Sequence, residues 1–418
     1  MATNMVECRS YSDLVVETVN DFRLDTRIYT DPAIFEDEMN RIFETTWIYV
    51  AHTCELAKPG DFKTALIGFN PVVVTHAEDG EIHVFLNKCR HRANAVCRET
   101  HGSARNFECP YHGWNYALNG DLIGVTDPKG YPPDFVEKLG GLVKLRVATY
   151  RGLIFASLND EVTDIETHLG DVRQYVDLWA DLSPEPEFHL MQPHLYSYSG
   201  NWKFQAENAI DGWHARFVHR SAFETAAEFG GPPTSSRSTV GCTRGFDNGF
   251  ALLERPGLPY GLSSDQQRDY REQLSRRHAP ERVELIWNVR HIFLFPNVVL
   301  FDNLIRVIQP SAVNSTVVMS YPLQARGVPK DLNRSRLRDV QVRMSTTGMI
   351  STDDLEMFAA NQTGMHGTKM RWIVLSHGQE QDRKLNNSEI QGEDMSELPQ
   401  RSIYRRWAEM MGAVGERR

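Results

Sequence analysis

The pattern of apolar and polar positions changes character several times along the chain. Residues 32–46 carry apolar side chains at helical spacing. Between residues 62 and 87, short β-rich runs alternate with turn residues, and strand signal returns at 144–158 after a loop-like stretch from 88 to 115. Residues 50–155 are therefore expected to form a small all-β unit.

The rest of the chain mixes predicted helices with predicted strands. Helices are expected at 163–181, 201–217, 330–346 and 351–364, and strands at 188–198, 290–308 and 315–324. This order indicates an α+β fold, in which a small all-β domain precedes a domain of antiparallel sheet plus helices. The residues from 379 onward are polar and charged, and we expect them to wrap a partner rather than build core.

Composition narrows the function classes. The 418 residues carry a net charge of −10, so a broad positive field for nucleic acid or anionic lipid is absent. No apolar run approaches the roughly 20 residues that cross a bilayer. We therefore expect a cytoplasmic protein that binds neither nucleic acid nor membrane. Six cysteines are too few for a secreted disulfide framework.

Half of these cysteines fall in one short segment that also contains histidines. Cys89, His91, Cys109 and His112 read C-x-H-x17-C-x2-H. Two thiolates and two imidazoles would close a tetrahedral zinc site, but zinc spacing usually pairs like ligands. One Cys and one His from each of two loops suit a two-iron cluster with Cys on one iron and His on the other. The pattern favours a Rieske [2Fe–2S] centre, with structural zinc as the alternative.

A second constellation lies in residues 201–219, which contain Asn208, Asp211, His214 and His219. On a regular helix His219 falls about 140° from His214. Both imidazoles therefore reach one ion only if the helix ends or bulges between them. Two His and one carboxylate form the facial triad of non-heme Fe(II) oxygenases. Asp211 is better explained as the carboxylate that accepts the ring N–H of His214.

The third ligand of such a triad has several candidates near the start of the helix predicted at 351–364. Asp353, Asp354 and Glu356 are nearly equal candidates by spacing. Negative charge in a first helical turn also suits the helix dipole, which is a purely structural explanation. The spacing alone does not choose between them.

Several segments resemble the α-subunits of Rieske aromatic-ring-hydroxylating oxygenases. CRHRANAVC and CPYHGWNYALNGDL resemble the two cluster loops, and N-x-x-D-x-x-H-x4-H with a later Asp-Asp doublet resembles the catalytic domain. Four further segments resemble the benzoate/anthranilate/salicylate branch of this family: IYTDPAIFEDEM, GNWKFQAENAIDGWH, LFPNVVLFDN and STDDLEMF. The resemblance implies that Asp354 is the third iron ligand and that Asp211 links His214 to His112 of the partner subunit. Asn208 in the same motif is a candidate catalytic residue.

The resemblance also implies an activity and its partners. It implies a terminal oxygenase that uses dioxygen and NADH-derived electrons to dihydroxylate the ring of a small aromatic carboxylate, such as benzoate, anthranilate, salicylate or terephthalate. A separate reductase or ferredoxin would deliver the electrons. The chain itself shows no dinucleotide fingerprint, since Gly230-Gly231 is followed by Pro232-Pro233. The implied assembly is a homotrimer or an α3β3 complex with a small β-subunit.

The implied domains are an N-terminal helical segment (1–48) that packs on the catalytic domain, a Rieske domain (49–157) and the catalytic mononuclear-iron domain (158–418). Two other readings remain open at this point. One is a Rieske monooxygenase that hydroxylates or demethylates an aromatic acid. The other is a Rieske electron-transfer protein without oxygenase activity.

A carboxylated substrate requires a cation or amide donors in its pocket. The candidate cations are Arg216, Arg290 and Arg306. Candidates for an aromatic wall are Phe204, Trp213, Phe217 and Phe301. For each of these residues an ion pair or core packing is the structural alternative.

Overall fold

The computed structural model describes residues 9–228, 241–257, 261–367 and 369–412. The chain forms two compact units, one of residues 43–168 and one that joins the chain before residue 43 to the chain after residue 168. The Gly230-Gly231-Pro232-Pro233 segment lies outside the described residues. Within the described ranges no helix combines the length and the apolar character needed to cross a membrane.

The N-terminal elements are β1 (Val15–Glu17), β2 (Phe22–Asp25), α1 (Arg27–Thr30) and α2 (Pro32–Glu38). Helix α2 begins at Pro32 because Asp31 accepts a hydrogen bond from the backbone N–H of Ala33 at 2.9 Å, and a proline is well placed in a first turn. A π-helical turn, Met39–Phe43, continues it. The helix predicted at 32–46 is confirmed over most of its length.

The unit of residues 43–168 is built from short antiparallel strands. They are β3 (Ile48–His52), β4 (Asp61–Ile67), β5 (Asn70–His76), β6 (Ile82–Leu86), β7 (His101–Ser103), β8 (Asn106–Glu108), β9 (Asn115–Ala117), β10 (Leu122–Gly124), β11 (Arg146–Tyr150) and β12 (Leu153–Ser157), with one helix, α3 (Phe135–Leu139), between β10 and β11. The sheets have the orders β6-β5-β4-β7, β10-β9-β8 and β11-β12-β3. The small all-β unit is confirmed, although β7 and β8 interrupt the stretch expected to be a loop.

The second unit continues through many elements. They are α4 (Ile165–Leu169, which begins in the first unit), α5 (Arg173–Ala180), β13 (His189–Leu190), β14 (His194–Tyr198), α6 (Trp202–Ala209), α7 (Ala215–Val218), α8 (Arg220–Glu228), β15 (Cys242–Phe246), β16 (Ala251–Arg255), α9 (Ser264–Ser275), α10 (Pro280–Ile286), β17 (Val289–Leu294), β18 (Val298–Leu300), β19 (Leu304–Ala312), β20 (Ser315–Gln324), α11 (Lys330–Arg343), α12 (Ser351–Met365), β21 (Trp372–Val374), β22 (Arg383–Lys384), β23 (Glu389–Glu393) and α13 (Leu398–Gly412). Short 3-10 turns lie at Ser12–Leu14, Thr53–Leu56, Pro128–Gly130, Gly170–Val172 and Gln379–Gln381.

A large antiparallel sheet organises this second unit. Its strand order is β13-β20-β19-β18-β17-β16-β15-β23-β22, and β14 also pairs with β20. Helices α5 and α6 contact β17, α13 contacts β15 and β16, and α11 contacts β20. The central strand β18 is buried at every position, as expected for a strand covered on both faces. The predicted antiparallel sheet with helices is confirmed.

The C-terminal segment differs from its prediction. Helix α13 is core rather than an arm for a partner, since Tyr404 and Trp407 are completely buried. Its charged residues misled the sequence argument because the clearest of them is paired inside the protein: the guanidinium of Arg401 is fully buried, bonds the carboxylate of Asp382 and donates to the carbonyl of Leu375. A buried charge that is paired in this way does not mark a surface.

The helix predicted at 201–217 is also interrupted. Helix α6 ends at Ala209, and residues 210–214 are irregular before the single turn of α7. Asp211 accepts hydrogen bonds from the backbone N–H groups of Trp213 at 2.6 Å and His214 at 3.3 Å, an alternative to helical bonding. A side chain at Gly212 would place its Cβ 2.1 Å from the carbonyl oxygen of Asp394. This break positions the site described next.

Candidate active site and metal centres

Two loops of the first unit present a cysteine and a histidine each, with matching backbone bonding. The N–H of Cys89 bonds the carbonyl of Asn94 while the N–H of Ala93 bonds the carbonyl of Cys89. Cys109 has the same two bonds with Trp114 and Gly113. The fifth residue of each loop has a positive φ, 60° at Ala93 and 70° at Gly113. A non-glycine residue held in this region indicates that the surrounding structure requires the turn.

The side chains of these loops converge. Cys89 and Cys109 are buried thiols that form no disulfide. The rings of His91 and His112 lie 4.5 Å apart between centroids, and that of His91 stacks on Trp114 at 4.9 Å. The buried Nδ1 atom of His91 has no hydrogen-bond partner, which is costly unless something binds it.

Electrostatics favour the ligand forms of this group. Burial opposes ionisation of Cys109, but hydrogen bonds from the backbone of Tyr111 and from neighbouring groups outweigh it and lower the pKa of the thiol. Partial burial and the charges of His91 and Arg92 lower the pKa of His112, which keeps its imidazole neutral. Thiolate and neutral imidazole are the forms that bind metal.

A second group lies in the other unit, where α6, α7 and α12 meet. His214 precedes α7, His219 follows its last residue, and Asp354 lies in the first turn of α12. One ligand atom from each lies within 4.8 Å of the others. Asp354 Oδ1 is 3.6 Å from His214 Nε2 and 3.2 Å from His219 Nε2. The break that the sequence requires between the two histidines is the end of α7 at Val218.

Each histidine of this group also faces a carboxylate with its other ring nitrogen. Asp211 Oδ2 lies 3.4 Å from Nδ1 of His214, and Asp353 Oδ2 lies 3.5 Å from Nδ1 of His219. Burial opposes a charged His214, yet the neighbouring carboxylates of Asp211 and Asp354 raise its pKa overall. Carboxylates in this position fix the tautomer and orientation of metal-bound imidazoles.

Asn208 lies between two members of the group. Its amide Nδ2 donates to Asp354 Oδ1 at 3.1 Å and is 3.2 Å from His214 Nε2. Asn208 projects from the last turn of α6, and Asp211, whose side chain is 30% exposed, follows two residues after the helix ends at Ala209. The structure therefore brings together Asn208, Asp211, His214, His219 and Asp354, the residues that the family resemblance implies for this site.

A cavity of about 100 Å³ adjoins this cluster. Besides the cluster it is lined by apolar residues and by several charged ones, among them Arg255, Asp302, Arg306 and Arg343. Arg255 is paired with Asp394, and Arg343 with Asp339. Arg306 is only 3% exposed, and its Nε and Nη2 atoms have no hydrogen-bond partner.

The structure does not bring most of the predicted substrate-binding side chains to this cavity. Among the described residues, Arg216 and Trp213 are exposed, and the Trp213 ring stacks on His377. Phe204 is buried against Tyr29, and Arg290 forms a buried ion pair with Glu254. None of these four lines the cavity, and each has a structural partner or faces solvent.

Of the other candidates, the exposed Phe217 is also outside the cavity, whereas Arg306 and Phe301 line it. Sequence reasoning missed Asp302 and His291, two further lining residues. Burial lowers the pKa of His291 to about 3, and its Nδ1 donates to the carbonyl of Ala209 at 3.0 Å. His291 stands in an apolar strand with no motif around it, so no sequence signal marked it.

Comparisons with known proteins agree with this geometry. Residues 46–150 match the Rieske [2Fe–2S] domain, and residues 184–413 match the catalytic domain of the ring-hydroxylating alpha subunit. Anthranilate 1,2-dioxygenase large subunit from Acinetobacter baylyi is 32% identical over 417 residues, covering 91% of this chain and 86% of that protein. Toluate 1,2-dioxygenase subunit alpha from Pseudomonas putida is 34% identical over 385 residues, covering 85% and 82%.

The fold has a solved counterpart. A naphthalene 1,2-dioxygenase variant bound to phenanthrene matches with a TM-score of 0.85 and 24% identity, covering 100% of this chain and 96% of that one. The Rieske match settles the choice between a [2Fe–2S] cluster and structural zinc in favour of the cluster. The chain therefore belongs to the ring-hydroxylating alpha-subunit family, whose members are Rieske, mononuclear-iron oxidoreductases that incorporate dioxygen.

Proposed function

We propose that this protein dihydroxylates the ring of a small aromatic carboxylate, as the terminal oxygenase that receives NADH-derived electrons from a separate reductase or ferredoxin. The observation that carries the substrate class is Arg306. Its guanidinium is buried in the wall of the cavity beside the cluster of His214, His219 and Asp354, and two of its nitrogen atoms lack partners. Within the described residues no carboxylate pairs with it.

A buried and unpaired guanidinium is unfavourable, because the charge is removed from water without compensation. A substrate carboxylate would supply the missing anion through charge-assisted hydrogen bonds. The Phe301 ring, which the Arg306 guanidinium covers at 5.1 Å, would contact the aromatic ring of the same substrate. An anion next to a flat apolar ring is the chemistry of a benzoate.

The relatives support this class. The cavity of about 100 Å³, set against the roughly 150 Å³ that encloses one benzene ring, argues against a substrate with several rings. The relatives named as anthranilate and toluate dioxygenases act, by those names, on single-ring carboxylates. We propose the same class of substrate, a single-ring aromatic carboxylate, for this protein, without choosing a particular compound.

The metal ligands are part of the proposal. Cys89, His91, Cys109 and His112 would hold the [2Fe–2S] cluster, a role supported by the two buried thiols and the unpartnered Nδ1 of His91. His214, His219 and Asp354 would hold the mononuclear iron, a role supported by their converging ligand atoms. When bound, these groups supply one-electron storage and dioxygen activation respectively.

The other residues of the site would position these ligands and the substrate. Asp211 and Asp353 would each hold the Nδ1 proton of one histidine, so that Nε2 stays free to bind metal. Asn208 would keep Asp354 and His214 at a fixed separation. Arg306 would orient the ring by its carboxylate.

The assembly proposed for the protein is a homotrimer, alone or with a small β-subunit as α3β3, in the cytoplasm. Asp211 would link His214 to His112 of the partner subunit, so that electrons cross a subunit boundary. In this assignment residues 49–157 are the Rieske domain, 158–418 the catalytic domain and 1–48 a segment that packs on the latter. The grouping of the chain before residue 43 with the chain after residue 168 supports the last point.

The test is Arg306→Ala, with Arg216→Ala as a control that also removes a guanidinium but at an exposed position. Oxygen uptake coupled to NADH oxidation is measured with benzoate, anthranilate, salicylate and toluene. Truncating one partner of a buried charge pair costs about 2–5 kcal/mol, so we expect kcat/KM for the carboxylates to fall by about 30-fold or more. The kcat/KM for toluene, which lacks a carboxylate, should not fall by this factor.

The result that would contradict the substrate class is an equal loss for carboxylates and toluene, or no loss. Iron and sulfide content of the variant checks that its folding is intact. Reaction of the wild type with labelled dioxygen tests the reaction type. Two labelled atoms in one product would indicate dioxygenation, and one labelled atom would indicate monooxygenation instead.

A further inference from the structure

Asp302 is a buried acid in the wall of the cavity beside the cluster of His214, His219 and Asp354. The residue is only 4% exposed, and its Oδ2 atom has no hydrogen-bond partner among the described residues. A buried acceptor without a partner costs free energy, so such a group in a cavity wall indicates a ligand that donates to it. The proposed function gives Asp302 no role.

The nearby cations do not satisfy this carboxyl group by contact. Arg336 is almost completely buried, but it donates to the backbone carbonyl of Asp302 rather than to the side chain. Arg343 pairs with Asp339. Burial raises the pKa of Asp302, and the charges of Arg336 and Arg343 only partly oppose it. Whether ionised or protonated, the group keeps an oxygen that can accept a hydrogen bond.

The backbone on both sides of Asp302 is fixed by hydrogen bonds. The residue lies in the turn between β18 and β19. Before it, the carbonyl of Phe301 accepts from Trp179 Nε1 at 2.7 Å. After it, the carbonyl of Asn303 accepts from the N–H of Leu323 at 2.9 Å. The acceptor is therefore held in place before a ligand enters, which reduces the entropy lost on binding.

The turn and the start of β19 give the cavity wall three different groups. Arg306 is a buried guanidinium with unpartnered nitrogen atoms, Phe301 is a flat apolar ring, and Asp302 is an acceptor. Arg306 and Asp302 form no ion pair with each other in the part of the chain that the structure describes. A ligand that complements all three carries an anion, an aromatic ring and an N–H or O–H group.

We propose that Asp302 accepts a hydrogen bond from an amino or hydroxyl substituent on the ring, so that the enzyme prefers an amino- or hydroxybenzoate to benzoate itself. The inference rests on the proposed function, which supplies the carboxylate at Arg306 and the ring at Phe301. An aromatic amine is uncharged at neutral pH and still donates its N–H. A methyl group of similar size cannot donate and would leave the buried oxygen unpaired, which is how such a site rejects it.

The experiment is a competition between substrates of the same shape, using the holoenzyme with its electron donor. Each aminobenzoate and each hydroxybenzoate is mixed in equal amounts with the methylbenzoate substituted at the same ring position. The ratio of the two products gives the ratio of their kcat/KM values. One hydrogen bond to a buried acid corresponds to roughly tenfold in that ratio. We expect the wild type to prefer at least one amino or hydroxy compound over its methyl counterpart by this factor.

Two substitutions assign the preference to Asp302. Asp302→Leu has a similar size but no acceptor, and the ratio should fall to about 1. Asp302→Asn is the matched control, because it keeps an acceptor oxygen and should keep most of the preference. A purely structural role of Asp302 would instead lower kcat/KM for the amino, hydroxy and methyl compounds equally.

The outcomes separate this inference from the proposed function. A wild type that does not prefer any amino or hydroxy compound to its methyl counterpart would overturn the inference, and this comparison requires no variant to fold. An unchanged preference in Asp302→Leu would also overturn it. In both cases the carboxylates would still be oxidised, and the proposed function would stand. A wild type that oxidises none of these carboxylates would overturn the proposed function as well.

Discussion

Each histidine of the cluster of His214, His219 and Asp354 lies between two carboxylates. His214 lies between Asp211 and Asp354, and His219 lies between Asp353 and Asp354. Asp354 thus contacts both histidines. Asp211 contacts only His214 and Asp353 only His219, each at the Nδ1 atom of the ring. This arrangement explains why the sequence has an Asp-Asp doublet: one carboxylate would bind the ion and its neighbour would orient a ligand.

Asp353→Asn tests this division at the level of one residue. It removes the negative charge beside Nδ1 of His219, and we expect ferrous iron affinity to fall by about 10–100-fold. Iron binding is measured by chelator competition under anaerobic conditions.

Glu356→Gln is the matched control, because Glu356 is on the same helix but exposed. It should leave iron affinity unchanged. Equal effects of the two substitutions would show that general negative charge near α12, rather than contact with His219, supports iron binding.

The candidate site was predictable from sequence where a residue type and its spacing carry the chemistry. Cys89, His91, Cys109 and His112 could be named because two Cys-His loops leave few explanations. The pocket could not be predicted in the same way. Arg306 and Arg290 are both arginines in apolar strands, and only the fold shows that Glu254 neutralises Arg290 and leaves Arg306 unpaired.

At the scale of elements, one carboxylate joins three helices. Glu207 on α6 accepts hydrogen bonds from Tyr29 of α1, at 2.9 Å, and from Tyr404 of α13. The oxygen atoms of the two tyrosine hydroxyls also lie 2.6 Å apart. Burial raises the pKa of Glu207 to about 7, against its usual value of 4.5. Protonation of this carboxyl is therefore more favourable in the folded protein than in the unfolded chain.

A raised carboxyl pKa gives a defined pH dependence. The stabilisation is complete below the unfolded pKa, near 4.5, and is lost as pH rises through about 7. Glu207→Gln removes this titration but keeps an oxygen acceptor for the tyrosines. We expect the free energy of unfolding of the variant, relative to wild type, to rise by about 1 kcal/mol between pH 6 and pH 8.

Urea unfolding followed by circular dichroism at the two pH values measures that difference. If the difference in unfolding free energy between variant and wild type were the same at both pH values, Glu207 would be ionised across this range. If the difference fell from pH 6 to pH 8, the pKa of Glu207 would not be raised by folding.

Helices and strands were predicted correctly where the periodicity of apolar residues determines them. They were predicted wrongly where contacts with distant parts of the chain determine where an element ends. The strands around residues 62–87 follow their alternation, and α2 follows its cap at Asp31. The break after Ala209 depends on Asp211 bonding its own backbone and on the approach of Asp394 to Gly212. The Asp-Gly pair is a turn signal that helical spacing outweighed in the sequence argument.

At the scale of the whole molecule, the proposed function requires electrons to pass from one metal group to the other. Asp211 is suited to carry that coupling, because it faces His214 yet its side chain is 30% exposed. Burial opposes ionisation of Asp211, but the neighbouring His214 side chain and hydrogen bonds from the backbone N–H groups of Trp213 and His214 lower its pKa overall, which favours the carboxylate.

We expect Asp211→Asn to keep both metal groups but to slow reoxidation of the reduced cluster by dioxygen and substrate, by about 10–100-fold. Single-turnover stopped-flow spectroscopy measures this rate. Asp353→Asn, saturated with iron, should transfer electrons at close to the wild-type rate. A normal rate in Asp211→Asn would remove the bridging role.

The most direct test of the account is the iron-to-sulfide ratio of the purified protein and of His214→Ala. One [2Fe–2S] cluster and one mononuclear iron predict a ratio of about 1.5 in the wild type. In the variant the ratio should fall to about 1, with the cluster spectrum unchanged and turnover abolished. Retention of all the iron in His214→Ala, or a wild type with no iron beyond the cluster, would contradict the existence of two separate iron centres.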